Sequence, residues 1–203
     1  MSQFLEIDRS WRSAIFYLRR ARTGPGAWPF FLGYPLEPIL FTSLLARAAG
    51  ALVHATGVIH RGQGWVFAGT HGAGKTTIAG LLERRADCAV LNDDRVVVRR
   101  VDGVWRVFGT PWAGTILKAS PASAPLAGIL FISHGEATRA TRLEPGRAAA
   151  SFLPRCFHPY WDRQALEALL ETTARLAREV PCYDFPFVPD TAVILGAVAA
   201  ARA

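Results

Sequence analysis

Cysteine is scarce in this chain, and its pattern excludes two classes of protein. Only three cysteines occur in 203 residues, and Cys88, Cys156 and Cys182 lack the spacing of metal ligands. Disulfide scaffolds and zinc modules have even or clustered cysteines. We therefore expect three reduced thiols that serve packing.

Long apolar runs are also missing. The most apolar stretch, residues 39–53, is interrupted by Arg47 and Gly50 and is shorter than the ~20 residues of a membrane helix. Residues 1–22 are polar and basic, without the apolar core of a signal peptide. These absences predict a soluble, cytoplasmic protein that has no membrane partner.

Lysine is rare although the chain is basic. Lysine supplies two of the 23 basic residues and arginine the rest, and the formal net charge is +7. Arginine favours phosphate and acidic partners. The sequence has no groove-reading motif or basic helix, so we do not expect a nucleic-acid partner. Aromatic and apolar residues among the arginines of segment 9–22 favour either an amphipathic docking element or an edge strand.

The length and the 51% hydrophobic content predict one α/β domain, with residues 1–35 as an appendage and residues 36–203 as the core. The core contains one sharply defined motif. Residues 69–76 match the phosphate-binding loop pattern G-x-x-x-x-G-K-[ST] at every fixed position. A β-favouring run precedes the loop and a helical pattern follows it, which is the order the motif requires. The predicted nucleotide-binding residues are Gly69, Thr70, His71, Gly72, Ala73, Gly74, Lys75, Thr76 and Thr77.

Two carboxylates follow the next apolar strand. Asp93 and Asp94 directly follow the run 88–92, and Asp93 lies eighteen positions beyond Lys75. Strand ends near such a loop face the transferred phosphate, so either carboxylate could ligate Mg²⁺ or accept a proton. Read without the loop, Asn92, Asp93 and Asp94 would be ordinary turn residues.

A hairpin pattern follows the acidic pair. Two valine-rich runs flank Asp102 and Gly103, whereas small-metabolite kinases of the shikimate kinase type continue into a helix at this point. Segment 109–114 is bounded by glycine and contains Pro111. Its composition fits either a loop that lines the site or a simple turn, and the spacing favours the turn.

In this order the motifs resemble the HPr kinase/phosphorylase-like family, whose core is related to ATP-dependent phosphoenolpyruvate carboxykinase. The resemblance covers residues 36–118 and includes a histidine, His54, fifteen positions before Gly69. It implies a P-loop α/β fold with a mixed central sheet and flanking helices. It also implies that Lys75 and His54 act at the catalytic centre, that Asp93 takes the proton and that Thr76 and Asp94 hold the metal.

The resemblance implies an ATP- and Mg²⁺-dependent kinase acting on a serine of a peptide or protein. True HPr kinases are longer, and the chain looks more like short kinases that modify ribosomal precursor peptides such as lasso peptides. Two alternatives stay open: a kinase of a small metabolite such as free serine, and a non-catalytic nucleotide-binding regulatory module. The sequence leaves the oligomeric state, including a homo-oligomer, open.

The C-terminal half is less specific. Its pattern predicts a buried strand at 126–133, an alternating strand at 138–143, a helix at 147–153 and a long helix that starts at or near Asp162 and ends at 179. Pro186 predicts an edge position for a strand at 183–188. Arg139 and Arg142 could reach the phosphates, but we expect ordinary solvated strand residues. His60, His134 and His158 have no predicted role.

Overall fold

The computed structural model describes residues 3–18, 36–112, 114–117 and 119–202. Near its start, β1 (Gln3–Ile7) and β2 (Ala14–Leu18) pair as a separate antiparallel hairpin. For segment 9–22 the sequence favours either an amphipathic docking element or an edge strand. A strand is present, but it pairs with β1 and not with an edge of the main sheet. Residues 19–22 lie outside the described part.

The central sheet is mixed, as the resemblance implies for the fold class, and it has eight strands in the described residues. Its members are β3 (Gly50–His60), β4 (Gln63–Ala68), β5 (Cys88–Asn92), β6 (Arg95–Val101), β7 (Val104–Phe108), β8 (Ser123–His134), β9 (Thr141–Arg142) and β10 (Cys182–Phe187). β3 pairs antiparallel with β4, β5 and β6, whereas β4, β8 and β10 run parallel to one another. The carboxyl ends of the three parallel strands therefore meet at one edge of the sheet.

Helices cover both faces of this sheet. They are α1 (Leu36–Arg47), α2 (Lys75–Glu83), α3 (Pro145–Phe152), α4 (Arg163–Glu179) and α5 (Thr191–Arg202). Phe152 of α3 and Leu169 of α4 are buried in one core cluster, and Ile78 of α2 and Ile194 of α5 are buried in another. This arrangement of helix, sheet and helix buries the apolar residues of the strands on two sides. The division into an appendage and a core stays a prediction.

Most elements begin and end where the sequence predicts. The hairpin of β6 and β7 turns at Asp102 (φ 48°) and Gly103 (φ 82°), both in the left-handed region that two-residue hairpin turns need. α4 begins after Asp162, whose carboxylate accepts the backbone N–H of Ala165 at 3.0 Å. The three cysteines are free, and burial raises the pKa of Cys182 to about 12.

Two expectations for the C-terminal half need correction. The strand expected at 138–143 is reduced to Thr141–Arg142. β10 is not at an edge, because β8 pairs along its whole length and β9 pairs with Tyr183 and Asp184 on its other side. Pro186 is tolerated there because it lies beyond the short β9 pairing. α5 has no counterpart among the predicted elements.

No helix in the described ranges combines the length and the apolar character that a bilayer crossing requires.

The sheet also closes on itself. β4 pairs with β8 in addition to β3, so the pairings run from β3 through β6, β7, β8 and β4 back to β3. Gly64, near the start of β4, lies within this closed set of strands. A Cβ atom at this position would lie 2.4 Å from Cγ1 of Val107 and 3.2 Å from the carbonyl oxygen of Pro125. The close approach of β4 to β7 therefore requires glycine at this position.

We expect Gly64→Ala to lower the free energy of unfolding by about 1–3 kcal/mol, because the added methyl group overpacks a fully buried contact. Urea unfolding measures the change. Gly80→Ala is the matched control, since a Cβ at this position of α2 meets nothing within 4 Å. Alanine should raise stability there by about 0.5–1 kcal/mol through helix propensity. Equal stability of wild type and Gly64→Ala would contradict the closed arrangement of strands.

Candidate nucleotide and phosphoryl-transfer site

The loop between β4 and α2 depends on its glycines. Gly72 has φ 78° and Gly74 has φ 100°, a region that side chains disfavour. A Cβ on Gly74 would lie 2.6 Å from Cζ of Phe187, and one on Gly69 would lie 2.7 Å from Cγ1 of Ile132. The fixed glycines of the motif thus match a backbone held tightly against β8 and β10.

The loop leads directly into the N-terminus of α2. Gly74 occupies the N-cap and contributes no side-chain hydrogen bond, and the first turn contains no acidic residue. The first backbone N–H groups of a helix lack partners within the helix and lie at its positive end. This end of α2 therefore favours an anion such as a phosphate.

Lys75 lies across the loop. Only 8% of its surface is exposed, and its Nζ donates to the carbonyl oxygens of Gly69 (3.0 Å) and Thr70 (2.9 Å). Burial lowers the pKa of Lys75, the Asp94 carboxylate opposes this shift, and the charge of Arg155 adds to it. A phosphate beside Nζ would favour the charged form of the amine.

Asp93 is a buried carboxylate with one oxygen bonded and the other not. Its Oδ2 accepts the backbone N–H groups of Thr115 (3.0 Å) and Ile116 (3.3 Å), and the Thr76 hydroxyl lies 3.5 Å from the same oxygen. Its Oδ1 is buried and has no hydrogen-bond partner in the described part of the chain. A buried carboxylate oxygen without a partner is unfavourable, and carboxylate and hydroxyl oxygens are the ligands that a hard cation takes. Thr76 and Asp93 therefore fit a magnesium ion.

Asp94 points to a different neighbour. Its side chain is 32% exposed, and its Oδ1 lies 3.2 Å from Nδ1 of His54. The same Nδ1 is 3.0 Å from the backbone oxygen of Asp94, so the proton of a neutral imidazole belongs on Nδ1. Burial, and after it the charge of Lys75, lowers the pKa of His54 and favours this neutral form. Arg95 forms an ion pair with the other oxygen, with 3.0 Å between Nε and Oδ2.

Asn92 shapes the turn that presents both carboxylates. Its buried side-chain oxygen accepts the N–H groups of Asp94 (2.8 Å) and Arg95 (3.0 Å). Its amide nitrogen donates to the carbonyl oxygens of Trp112 (2.7 Å) and Thr110 (3.3 Å). The sequence marks Asn92 only as a turn residue, but its bonds also fix the segment after β7 against the acidic pair.

These groups line one cavity of about 610 Å³. The predicted site residues at its wall are His54, His71, Gly72, Gly74, Lys75, Thr76, Thr77, Asp93 and Asp94. Of the other predicted loop residues, Gly69 and Thr70 contact Lys75, and Ala73 is buried. Gly114 and Thr115 complete the wall, which corrects the expectation that segment 109–114 is only a turn.

His134 contacts the loop although the sequence indicates no role for it. Its Nε2 lies 2.8 Å from the carbonyl oxygen of Gly72. The imidazole stacks near the Phe187 ring with 6.3 Å between centroids. Since His134 ends β8, it ties the loop to the neighbouring strand. A single histidine after an apolar run carries no pattern that would have revealed this contact.

The likeness of this chain to known proteins is one of structure and not of sequence. No family model matches it, and no curated protein is similar to it. Among solved structures, it is similar to the Hpr(Ser) kinase/phosphatase from Coxiella burnetii. The two share 13% sequence identity with a TM-score of 0.45, over 74% of this chain and 90% of that one. A likeness of this degree carries no inference about activity.

Proposed function

We propose that this protein is an ATP- and Mg²⁺-dependent kinase of the HPr kinase-like kind, which transfers the γ-phosphate to a serine-type hydroxyl of a peptide or protein. One observation carries the proposal. The buried, half-satisfied carboxylate of Asp93 lies beside Thr76 of a glycine-rich loop, and a second carboxylate, Asp94, opens into the same cavity. A phosphate cradle, a metal position and a second carboxylate are the parts that phosphoryl transfer needs.

The phosphates would be held by the backbone and by one side chain. The N–H groups at the start of α2 would bind phosphate oxygens, and Lys75 would exchange the carbonyl oxygens of Gly69 and Thr70 for the β- and γ-phosphates. Because Lys75 is buried, its charge is weakly screened and would stabilise negative charge that develops during transfer.

The contacts favour one distribution of roles between the two carboxylates. The resemblance implies that Asp93 takes the proton and that Asp94 holds the metal. Asp93, however, is the carboxylate next to Thr76 and the one with a buried unpaired oxygen, which supports Asp93 and Thr76 as the metal-holding pair. Thr76 and Asp93 would hold Mg²⁺, which would supply positive charge that offsets the negative charge of the outer phosphates.

Asp94 then remains for the acceptor. It is the more exposed of the two carboxylates. The neutral imidazole of His54 fixes the backbone at Asp94 by donating from Nδ1 to its carbonyl oxygen, and Oδ1 of the carboxylate lies 3.2 Å from the same nitrogen. A carboxylate positioned in this way can accept the proton of an incoming hydroxyl as the oxygen attacks. His54 is accordingly a positioning residue that acts through Asp94.

The experiment is incubation with γ-labelled ATP and a panel of free serine, phosphocarrier protein and precursor peptides. We expect label in a peptide or protein with the wild type and none with Lys75→Ala, because the lysine is needed for charge stabilisation. Circular dichroism should show that Lys75→Ala is folded. Label only in serine would support a metabolite kinase, and nucleotide binding without transfer would support a regulatory module. Transfer by Lys75→Ala would contradict the site.

Asparagine substitutions of the two carboxylates should impair activity in different ways. We expect Asp93→Asn to lose activity that added Mg²⁺ partly restores, because an amide oxygen is a poorer ligand for this ion. Asp94→Asn should keep its affinity for Mg²⁺·ATP and lose about 10²-fold or more in the chemical step, the usual scale for a general base. Single-turnover kinetics at several Mg²⁺ concentrations separates the two effects.

Rescue of Asp94→Asn instead of Asp93→Asn would restore the assignment that the resemblance implies. Full activity of both variants would mean that the pair is a structural turn. Gly80→Ala is the control variant and should keep full activity, because a Cβ at this position of α2 contacts nothing within 4 Å.

A further inference from the structure

A second cavity, of about 330 Å³, lies at the carboxyl ends of β8 and β10 and is rich in arginine. Three arginines line it, Arg142, Arg147 and Arg155, and Asp184 is the one acidic residue among its lining residues. The other polar residues of its wall are Ser133, Thr141 and Ser151. The composition is that of a site for an anion.

The positive charge of this cavity is not neutralised by the protein. In the described ranges, none of the three arginines forms an ion pair with a carboxylate. Arg142 contacts Tyr183, with NH1 3.4 Å from the phenol oxygen, and Arg147 is exposed at the start of α3. Three cations facing one carboxylate leave a net charge that attracts an anion.

Arg155 is the most constrained of the three. Its Nε is buried and has no hydrogen-bond partner in the described part of the chain, while its NH1 donates to the carbonyl oxygen of Ser151. The guanidinium lies over the Phe131 ring, 5.3 Å from the centroid. A desolvated cation with an unused donor is unfavourable by itself and favourable when an anion binds.

The arginine cavity adjoins the phosphate loop. Ile132, which lines it, packs against Gly69, and the charge of Arg155 acts on Lys75. Cys156, next to Arg155, bridges to Val53, the neighbour of His54. An anion bound to these arginines would therefore lie on the β8 side of the phosphate loop.

We propose that Arg142, Arg147 and Arg155 bind a carboxylate or phosphate group of the acceptor, separate from the hydroxyl that receives the phosphoryl group. Guanidinium groups bind both anions through paired N–H donors. The acceptor is thus an acidic molecule or peptide, held by its anionic group while its hydroxyl faces the loop. That the bound anion belongs to a phosphate acceptor rests on the proposed kinase function, whereas the anion site itself does not.

Calorimetric titration with inorganic phosphate tests the anion site without any reaction. We expect two phosphate sites in the wild type, one at the loop and one at the arginines. Lys75→Ala should keep the arginine site, and the double variant Arg142→Ala/Arg147→Ala should keep only the loop site. Both substituted arginines are exposed, so the double variant should fold. Arg178→Ala removes an exposed arginine from α4 and should retain both sites.

A single phosphate site in the wild type, or unchanged phosphate binding by the double variant, would overturn the anion site. These results are independent of transfer, so they test the arginines even if the protein has no kinase activity.

The transfer assay then identifies the source of the anion. With whichever acceptor takes label, the double variant should raise the KM for the acceptor by about 10- to 100-fold and leave the KM for ATP unchanged, as loss of charge-assisted hydrogen bonds predicts. The increase should be absent for Arg178→Ala. Loss of the phosphate site with an unchanged KM for the acceptor would mean that free phosphate, and not the acceptor, is the ligand, which would overturn the substrate proposal.

Discussion

The pairing of β3 at Ala55 is the constraint on which the site depends. On one side Ala55 pairs with Ala68, the last residue before the phosphate loop. On the other side its N–H donates to the backbone oxygen of Asp94 at 3.1 Å. One residue of a buried strand thus fixes the distance between the loop and the acidic pair, and His54 precedes it in the same strand. A slip of one residue in this register would turn every side chain of β3 to the opposite face.

The energetic character of the site follows from this backbone frame. Lys75 and the Oδ1 atom of Asp93 are buried although neither has an opposite charge bonded to it. The well-packed strands and helices around them offset this unfavourable burial. Such strain is common where a protein is organised for a ligand, because fixed charges need no rearrangement when the ligand binds. The same description applies to Arg155 in the neighbouring cavity.

The sequence predicted the parts of this frame that are local. The loop motif, the hairpin at Asp102 and Gly103 and the start of α4 at Asp162 each depend on residues within a few positions of one another. The parts that it missed depend on contacts between distant segments. Gly114 lies beside the acidic pair because Asn92 bonds to Thr110 and Trp112 and because Asp93 accepts the N–H of Thr115. Arg155 lies near the loop because Cys156 bridges to Val53. The hydrophobic periodicity of a sequence does not indicate contacts between distant segments. For the same reason, the roles of Asp93 and Asp94 could not be derived from their order in the sequence.

The most direct test of the central claim is a crystal structure with Mg²⁺ and a non-hydrolysable ATP analogue. We expect the β- and γ-phosphates to lie on the N–H groups at the start of α2 and within hydrogen-bond distance of Nζ of Lys75. We also expect Mg²⁺ on Thr76 and on Asp93, with metal–oxygen distances of about 2.0–2.1 Å. Phosphates bound away from the loop, or a metal that contacts neither Thr76 nor Asp93, would contradict the claim.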